Sequence, residues 1–458
     1  MAEKMTSVNP ATGAIIKTYT EMSEAEAVAI AGKTHMAFEA WQRTSFKERS
    51  ARLLAMAKCL RDQKQELAAI MTGEMGKVKN EAEGEIEKCA WVCEHYAENG
   101  EKMLEDRPVE IDDGKAFVSY RPLGVILAIM PWNFPFWQVF RFAAPTLMAG
   151  NGAVLKHAES VSGCALAIEK LFKDAGFPQD IFRTLLINKH KVEAVINSPS
   201  VRGVTLTGST GAGKAVAAQA GAVLKPTVLE LGGSDPYIIL ADADIKKAAE
   251  ICAKSRMLNA GQSCIAAKRF IVVEDAHEEF VAALKNQLTS KKMGDPMADG
   301  TDYGPQALER LRDELHKQVA ASVAAGAKCL LGGEKPAREG AWYPATLLVD
   351  VKEAMPAYHE EMFGPVASVI KVKDKAEAIK VANSTDFGLG GAVFTADVAE
   401  GRRIAKEEIN SGCVAVNDLV KSDPRLPFGG VKDSGYGREL ASEGIRAFTN
   451  VKTVTAQP

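Results

Sequence analysis

The 458-residue chain is 47% hydrophobic and 25% charged, an ordinary globular composition that is long enough for two or three domains. Its net charge of -3, without a clustered basic stripe, argues against a nucleic-acid partner. The chain begins without the apolar segment of a secretory signal and has no run of about 18 apolar residues. We therefore expect a cytoplasmic protein without a membrane partner.

The first predicted elements are helices, over residues 23 to about 105. Ser23 with Glu26, and Ser45 with Glu48, both fit the S-x-x-E capping box, in which each side chain satisfies a free backbone N–H of the other residue. Apolar residues then recur at helical spacing after Ser45. This segment is predicted to be a helical layer packed against another part of the protein.

From residue 116 onward strands and helices alternate, which is typical of parallel sheets with crossover helices. The predicted strands cover residues 116–120, 125–129, 153–155, 184–187, 204–206, 228–229, 237–240, 270–273, 347–349, 367–370, 392–394 and 414–416. The predicted helices cover residues 160–173, 191–197, 245–258, 277–289 and 306–325, and another begins near Thr210. The pattern predicts an α/β protein with two such units and a cleft between them.

Cys264 directly follows Gly261, Gln262 and Ser263, between a helical pattern and a strand pattern. A loop between two rigid elements can both hold a reactive side chain and expose it. The same pattern also fits a buried structural cysteine. The eight cysteines form no C-x-x-C pair and no His or Cys cluster with zinc spacing, so we expect reduced thiols and no metal site.

Two further stretches lie at the ends of predicted strands. Residues 208–213 (Gly-Ser-Thr-Gly-Ala-Gly) open a helix, where free N–H groups favour a phosphate, although a tight turn has the same pattern. Lys214 follows, but Ala215 lacks the hydroxyl of a magnesium-dependent nucleotide loop. Glu230 precedes a glycine pair; its carboxylate is either hydrogen-bonded to nearby backbone or placed there for chemistry.

Six stretches occur in an order that closely resembles the NAD(P)-dependent aldehyde dehydrogenase superfamily. They are Pro-Trp-Asn-Phe-Pro at 131–135, the glycine turn at 208–213, Leu-Glu-Leu-Gly-Gly at 229–233, Gly-Gln-Ser-Cys at 261–264, Glu-Met-Phe-Gly-Pro at 361–365 and Pro-Phe-Gly-Gly at 427–430. The resemblance implies an aldehyde dehydrogenase-like α/β fold. Its implied parts are a Rossmann-type dinucleotide-binding domain (1–104 and 123–232), an α/β catalytic domain (233–430) and a small β oligomerisation element (105–122 and 440–458).

The resemblance also implies a mechanism. The Cys264 thiolate attacks the aldehyde, and the Asn133 amide and the Cys264 backbone N–H hold the oxyanion. After hydride transfer to the nicotinamide, Glu230 activates the water that hydrolyses the thioester. A CoA-acylating enzyme would not need Glu230, and a non-catalytic relative would have lost the nucleophile or the base.

The residues that the resemblance assigns to the cofactor are Trp132, Lys156, Glu159, Gly208, Ser209, Glu361 and Phe363. Lys156 and Glu159 would contact the adenosine ribose, and Ser209 the pyrophosphate. Because the Glu159 carboxylate would repel a 2′-phosphate, we predict NAD as the preferred cofactor and NADP as a weaker one.

Residues 417–425 and 136–138 are similar to the bacterial succinate-semialdehyde dehydrogenase branch. Arg141 matches an arginine that related enzymes use for the substrate carboxylate, and Arg425 lies in a segment that borders the substrate tunnel. A guanidinium can grip a carboxylate with two hydrogen bonds, although each arginine could also form a surface ion pair. Leu258 stands where some of these enzymes carry another substrate arginine.

We predict oxidation of succinic semialdehyde, with Trp137, Arg141 and Arg425 as the substrate-binding residues. The alternative is a broad-specificity aliphatic or aromatic aldehyde dehydrogenase. The strand near 116–120 and the tail near 445–455 are apolar enough to pair between subunits. We therefore predict a homodimer or homotetramer.

Overall fold

The structure is a computed structural model that describes residues 4–112 and 114–456, and strands and helices alternate along most of it. The strands are β1 (Lys4–Val8), β2 (Ile15–Thr20), β3 (Arg107–Ile111), β4 (Gly114–Pro122), β5 (Val125–Met130), β6 (Gly152–His157), β7 (Phe182–Thr184), β8 (Val201–Thr207), β9 (Thr227–Glu230), β10 (Pro236–Ile239), β11 (Arg269–Val273), β12 (Lys328–Leu331), β13 (Thr346–Val349), β14 (Val366–Val372), β15 (Gly390–Phe394), β16 (Cys413–Val416), β17 (Gly435–Tyr436) and β18 (Thr449–Ala456). The α-helices are α1 (Glu24–Trp41), α2 (Phe46–Asp62), α3 (Lys64–Met75), α4 (Lys79–Met103), α5 (Trp137–Met148), α6 (Ser162–Asp174), α7 (Val192–Asn197), α8 (Thr210–Ala222), α9 (Ile245–Met257), α10 (Glu274–Thr289), α11 (Glu309–Ala324), α12 (Pro356–His359), α13 (Lys375–Asn383), α14 (Val398–Glu407) and α15 (Ala441–Arg446).

The predicted N-terminal helical layer is confirmed as α1 to α4, preceded by the antiparallel hairpin of β1 and β2. Both capping boxes are present: the Ser23 hydroxyl accepts from the Glu26 N–H, and the Glu26 carboxylate accepts from the Ser23 N–H. Ser45 and Glu48 repeat the arrangement at the start of α2. The longest helix, α4, packs against α2, α3 and α5 and so joins this layer to the first sheet.

The first sheet has six strands in the order β17-β9-β8-β5-β6-β7, and β5 to β9 are parallel. The central strand β5 is a continuous apolar run that is buried along almost its whole length, as expected for a parallel strand covered by helices on both faces. Because the carboxyl ends of parallel strands share one edge, the segments that follow β9, β8, β5 and β6 are neighbours there. These segments carry most of the predicted site residues.

One predicted strand of this sheet is displaced. The sequence predicts residues 184–187, whereas β7 covers Phe182–Thr184. Leu185 still donates its N–H to the Leu155 carbonyl, but Ile187 has already left the ladder. Both side chains are buried, so the apolar signal there comes from core packing and not from strand pairing.

The second sheet has seven strands in the order β12-β13-β14-β11-β10-β15-β16, all parallel except β12. Each sheet has its own hydrophobic core, and Ile265 packs against both. Its neighbour Cys264 therefore lies where the two cores meet. The proposed domain boundaries stay a prediction, and β17 joins the first sheet from beyond residue 430.

A third, three-stranded antiparallel sheet has the order β18-β4-β3. The tail predicted for oligomerisation thus pairs with the strand near 116–120 inside the same chain, and β4 has no free edge. Residues 441–446 of the predicted tail form α15 and not a strand, because Ile445 packs into the first core.

In the described ranges 4–112 and 114–456, no helix is long and apolar enough to cross a membrane. The same part of the chain contains no group of three or more His, Cys, Asp or Glu side chains that could hold a metal ion.

Candidate active site

The loop that carries Cys264 is shaped by an unusual backbone turn. After α9, Asn259, Ala260 and Gly261 have φ angles of 53°, 52° and 77°, in the left-handed region. A Cβ on Gly261 would lie 2.2 Å from the backbone carbonyl of Gly364, so only glycine fits there. The predicted stretches 261–264 and 361–365 are therefore in direct contact, and the turn brings Cys264 to the junction of the two cores.

Asn133 lies in the loop between β5 and α5 and is held on three sides. Its side-chain Nδ2 donates to the Gln262 carbonyl at 3.1 Å, and its Oδ1 accepts from Gln138 Nε2 at 2.9 Å. Its backbone carbonyl accepts from Asn259 Nδ2 at 2.7 Å. One Nδ2 hydrogen is left uncommitted by these bonds, which suits Asn133 to stabilise an oxyanion near Cys264.

Two cavities meet at Cys264. The first, of about 310 Å³, is bounded by α4, α5 and the 417–422 segment; the second, of about 220 Å³, lies at the carboxyl edge of the first sheet. Cys264 and Gln138 line both cavities. A thiol at such a junction can react with a molecule in one cavity while a second molecule occupies the other.

The surroundings of the Cys264 thiol disfavour its thiolate form. Burial raises the pKa of Cys264 to about 12, although Arg141 and Lys268 act to lower it. Lys268 also fixes the loop, because its Nζ donates to the Cys264 carbonyl at 2.7 Å and to the Ser263 carbonyl at 2.9 Å. Lys268 forms an ion pair with Glu361 at 3.3 Å, which ties the loop to a predicted cofactor residue.

Glu230 ends β9 and is 2% exposed. Neither of its carboxylate oxygens has a hydrogen-bond partner in the described chain. Burial, and then the nearby Glu439, raise the pKa of Glu230 well above its ordinary value. The Pro-Phe-Gly-Gly stretch at 427–430 accommodates this carboxylate, since a Cβ on Gly429 would lie 2.6 Å from Glu230 Oε1. An unpaired buried carboxyl group beside a thiol is suited to proton transfer.

Arg141, a predicted substrate residue, lines the first cavity from α5. Its Nε forms a buried ion pair with Glu439 at 2.5 Å, and its Nη2 donates to Thr207 Oγ1 at 3.3 Å. Its guanidinium lies 4.7 Å from the centre of the Phe428 ring. Most of the charge of Arg141 is thus balanced by the protein itself.

The second cavity collects five of the seven predicted cofactor residues together with Asn133. The five are Trp132, Gly208, Ser209, Glu361 and Phe363. The rings of Trp132 and Phe363 are perpendicular, with centres 5.8 Å apart. Ser209 caps α8, so the free N–H groups of that helix face the same edge.

Lys156 and Glu159, the other two predicted cofactor residues, do not line this cavity. They lie at the end of β6 and at the start of the short 3-10 helix that follows it. Lys156 is buried and Glu159 half-buried. Because β6 is the parallel neighbour of β5, both residues continue the same edge beyond Trp132.

The aldehyde dehydrogenase family model matches residues 1–454 of this sequence. The chain belongs to the aldehyde dehydrogenase family. The predicted α/β fold class is thereby confirmed, and the whole site described above lies within the matched residues.

Individual members of the family are similar over nearly the full length. A Mycobacterium tuberculosis protein named succinate-semialdehyde dehydrogenase (NADP(+)) 1 is 47% identical over 98% of each chain. The crystal structure of succinic semialdehyde dehydrogenase from Streptococcus pyogenes in complex with NADP+ is 36% identical, with a TM-score of 0.97 over 99% of this chain and 100% of that one. The structure of an NAD-dependent aldehyde dehydrogenase from Sinorhizobium meliloti is 32% identical, with a TM-score of 0.96 over 99% and 91% of the two chains.

Arg425 does not reach the first cavity of this aldehyde dehydrogenase. Its side chain is 68% exposed, and Asp423, two residues earlier, accepts from both Nε at 2.9 Å and Nη2 at 2.7 Å. This local carboxylate holds the guanidinium at the surface. The structure therefore does not bring Arg425 together with Trp137 and Arg141, which both line the cavity.

Ser422 and Lys88 are among the polar residues of the first cavity that the sequence analysis missed. Ser422 Oγ accepts from Trp137 Nε1 at 3.1 Å and from Lys88 Nζ at 2.8 Å. The Lys88 ammonium also lies 4.1 Å from the centre of the Trp137 ring. Lys88 belongs to α4, far from every recognised motif, and only its helical spacing from Glu81 and Glu85 could have placed it on the same face.

Proposed function

We propose that this aldehyde dehydrogenase oxidises succinic semialdehyde to succinate with NAD, through a covalent thioester on Cys264. The observation that carries the proposal is the position of Cys264 at the junction of the two cavities. One cavity contains five of the seven residues expected to hold a dinucleotide, and the other is a largely apolar site of the size of a small aldehyde.

The second cavity suits the nicotinamide and pyrophosphate parts of a dinucleotide in its chemistry. The start of α8 offers free N–H groups and a favourable helix dipole to a pyrophosphate, with Ser209 at the cap. Trp132 and Phe363 provide flat apolar walls, and the Glu361 carboxylate is available for ribose hydroxyls. When bound there, the nicotinamide would accept a hydride from the substrate carbon.

In the first half of the reaction, Cys264 adds to the aldehyde carbon. The thiol must lose its proton as it reacts, because burial raises the pKa of Cys264 to about 12. This proton passes to solvent, which keeps the Glu230 carboxylate available for the second half of the reaction. The oxyanion that forms would accept from the free Asn133 Nδ2 hydrogen and from the Cys264 backbone N–H.

In the second half, water hydrolyses the thioester. Glu230 takes a proton from this water, and the Cys264 thiolate leaves. The raised pKa of Glu230 makes the carboxylate a stronger base than an exposed glutamate, provided that it is deprotonated. Glu439 raises the pKa of Glu230 and Arg141 lowers it, and these two residues form an ion pair with each other.

The choice of NAD depends on Glu159. The mycobacterial relative carries NADP(+) in its name and the streptococcal enzyme was solved with NADP+, whereas the Sinorhizobium enzyme is NAD-dependent. These names do not support a preference for NAD. We nevertheless propose NAD for this chain, because a half-buried carboxylate at the end of β6 would accept from ribose hydroxyls and repel a 2′-phosphate.

Two variants test the covalent route. Cys264→Ala should abolish turnover and retain dinucleotide binding, which fluorescence titration can measure. Glu230→Gln should release a burst of NADH close to one equivalent per site and then stall, because the thioester persists. A Cys264→Ala enzyme with more than about 5% of wild-type activity would sink the assignment.

The substrate assignment needs its own measurement. Succinic semialdehyde, glutaric semialdehyde, hexanal and benzaldehyde should be compared by kcat/KM with NAD and with NADP. Similar values for all four aldehydes would favour the broad-specificity alternative. Acyl-CoA formation on addition of CoA would instead indicate the acylating alternative.

A further inference from the structure

One face of α4 forms a wall of the first cavity, which is the cavity proposed to hold the aldehyde. Glu81, Gly84, Glu85 and Lys88 line it at the i, i+3, i+4 and i+7 spacing that places side chains on one side of a helix. Lys88 is held there by two contacts: its hydrogen bond of 2.8 Å to Ser422 Oγ and its position 4.1 Å from the Trp137 ring centre. The ammonium therefore has a fixed place at the cavity wall.

Three cations line this cavity, and two of them are already neutralised. Arg141 forms its ion pair with Glu439 at 2.5 Å. Lys421 forms one with Asp418 at 2.7 Å and is 57% exposed. In the described chain no carboxylate forms an ion pair with Lys88, the third cation.

The acidic residues near Lys88 are committed elsewhere. Glu85 forms a buried ion pair with Lys77, and its other oxygen accepts from the backbone N–H groups of Phe136 and Trp137 at 2.9 Å. Asp423 forms an ion pair with the exposed Arg425. A half-buried ammonium without an anion is costly, so this arrangement is suited to an anion supplied by a ligand.

We propose that Lys88 is the residue that binds the carboxylate of the substrate and so selects short aldehydes with a carboxylate at the far end. The aldehyde carbon would lie at Cys264 and the carboxylate at Lys88, both of which line the cavity, with the methylene carbons against apolar groups such as Leu258. This inference rests on the proposed function. It assigns the binding of the carboxylate to Lys88 in α4 and not to Arg425.

The test compares succinic semialdehyde with butanal, which has the same carbon chain and no carboxylate. Lys88→Met removes the charge and keeps the length and helix propensity of the side chain. The variant should lose about 30- to 1,000-fold in kcat/KM for succinic semialdehyde, mostly through KM, and less than about threefold for butanal. Lys88→Arg should recover a large part of the loss.

Two controls make the result specific. Lys102→Met makes the same substitution on an exposed part of α4 and should leave both substrates unaffected. Arg425→Met tests the sequence-based candidate directly. A selective loss in Arg425→Met with none in Lys88→Met would overturn the assignment of Lys88, as would an equal loss on both substrates in Lys88→Met.

The failure of this inference differs from the failure of the proposed function. A wild-type enzyme that does not prefer succinic semialdehyde over butanal contradicts the proposed substrate, whatever Lys88 does. A wild-type preference that survives in Lys88→Met contradicts only the role of Lys88.

The pH dependence of the wild-type enzyme tests the proposal without any variant. It can therefore be used even if the Lys88 variants do not fold. Burial, and then Arg141, lower the pKa of Lys88 to about 8, against the opposing influence of Cys89, Glu85 and Asp423. Lys88 is charged below this pKa, so the ratio of kcat/KM for the two substrates should fall as pH rises from about 7 to 10. A ratio that stays constant over that range contradicts the proposal.

Discussion

The side-chain amide of Asn133 lies 3.1 Å from the backbone carbonyl oxygen of Gln262, two residues before Cys264. This bond couples the loop after β5 in the first sheet to the loop before β11 in the second. Gln138 fixes the other end of the amide, so the orientation of Asn133 is set before a substrate arrives. An oxyanion donor that is oriented in advance loses little energy to reorganisation when charge develops.

The first prediction concerns this donor. Asn133→Ala should lower kcat by about 10²- to 10³-fold, because one oxyanion donor is worth about 3–4 kcal/mol in the transition state. Gln138→Leu should cost less, about tenfold, because the donor remains and only its orientation is lost. Single-turnover kinetics of NADH formation separate these effects from product release. An Asn133→Ala enzyme within threefold of wild type would show that the oxyanion is held elsewhere.

Much of this site follows from local sequence signals. The loop motifs that carry Asn133, Ser209 and Glu230 lie at the carboxyl ends of adjacent parallel strands, and strand order brings them together once the strands are recognised. The capping boxes at Ser23 and Ser45 are equally local, because each depends on residues three positions apart.

The remaining features depend on contacts between distant parts of the chain. The ion pair of Arg141 with Glu439 joins positions 298 apart, and the bond of Lys88 to Ser422 joins positions 334 apart, so neither has a local signal. Arg425 shows the opposite case. Its partner Asp423 is only two residues away in the sequence. A carboxylate so close in the sequence indicates that the Arg425 guanidinium can form an ion pair at the surface.

The second prediction concerns assembly. Within the described part of the chain, the outer strands of the third sheet, β3 and β18, have unpaired edges, and they carry exposed apolar side chains that include Ile111 and Val451. Such edges pair readily with another chain. We expect sedimentation to give at least a dimer of the 49.1 kDa chain at micromolar concentration. The double variant Val109→Lys with Ile111→Lys, on β3, and the single variant Val451→Lys, on β18, should each weaken the dimer. A wild-type monomer at that concentration would contradict the predicted oligomer.

The third prediction concerns the cofactor. With NAD preferred, Glu159→Ser should raise kcat/KM for NADP about tenfold or more, because a repelling carboxylate is removed from the 2′-phosphate. Glu159→Gln keeps an acceptor for the ribose hydroxyls and so separates the effect of charge from the loss of a hydrogen bond. A wild-type enzyme that uses NADP better than NAD would show that Glu159 does not face the 2′ position.

The last prediction concerns the base and its acidic neighbour. Glu230 can take a proton from water only when it is deprotonated, so thioester hydrolysis should accelerate as pH rises through the pKa of Glu230. Burial raises that pKa first, and Glu439 raises it further. Glu439→Gln removes the like charge and leaves Arg141 free to stabilise the carboxylate, so the rising limb should move to lower pH. Deacylation rates from the decay of pre-formed thioester, measured between about pH 5 and 9, report this limb directly. Glu230→Gln should abolish the limb in the same assay.

Glu439→Gln leaves Arg141 buried without its ion-pair partner. The free energy of unfolding of this variant should therefore fall by about 3–5 kcal/mol, and the rates must be measured below its unfolding temperature. A limb that Glu439→Gln leaves in place would show that Glu439 does not act on the base.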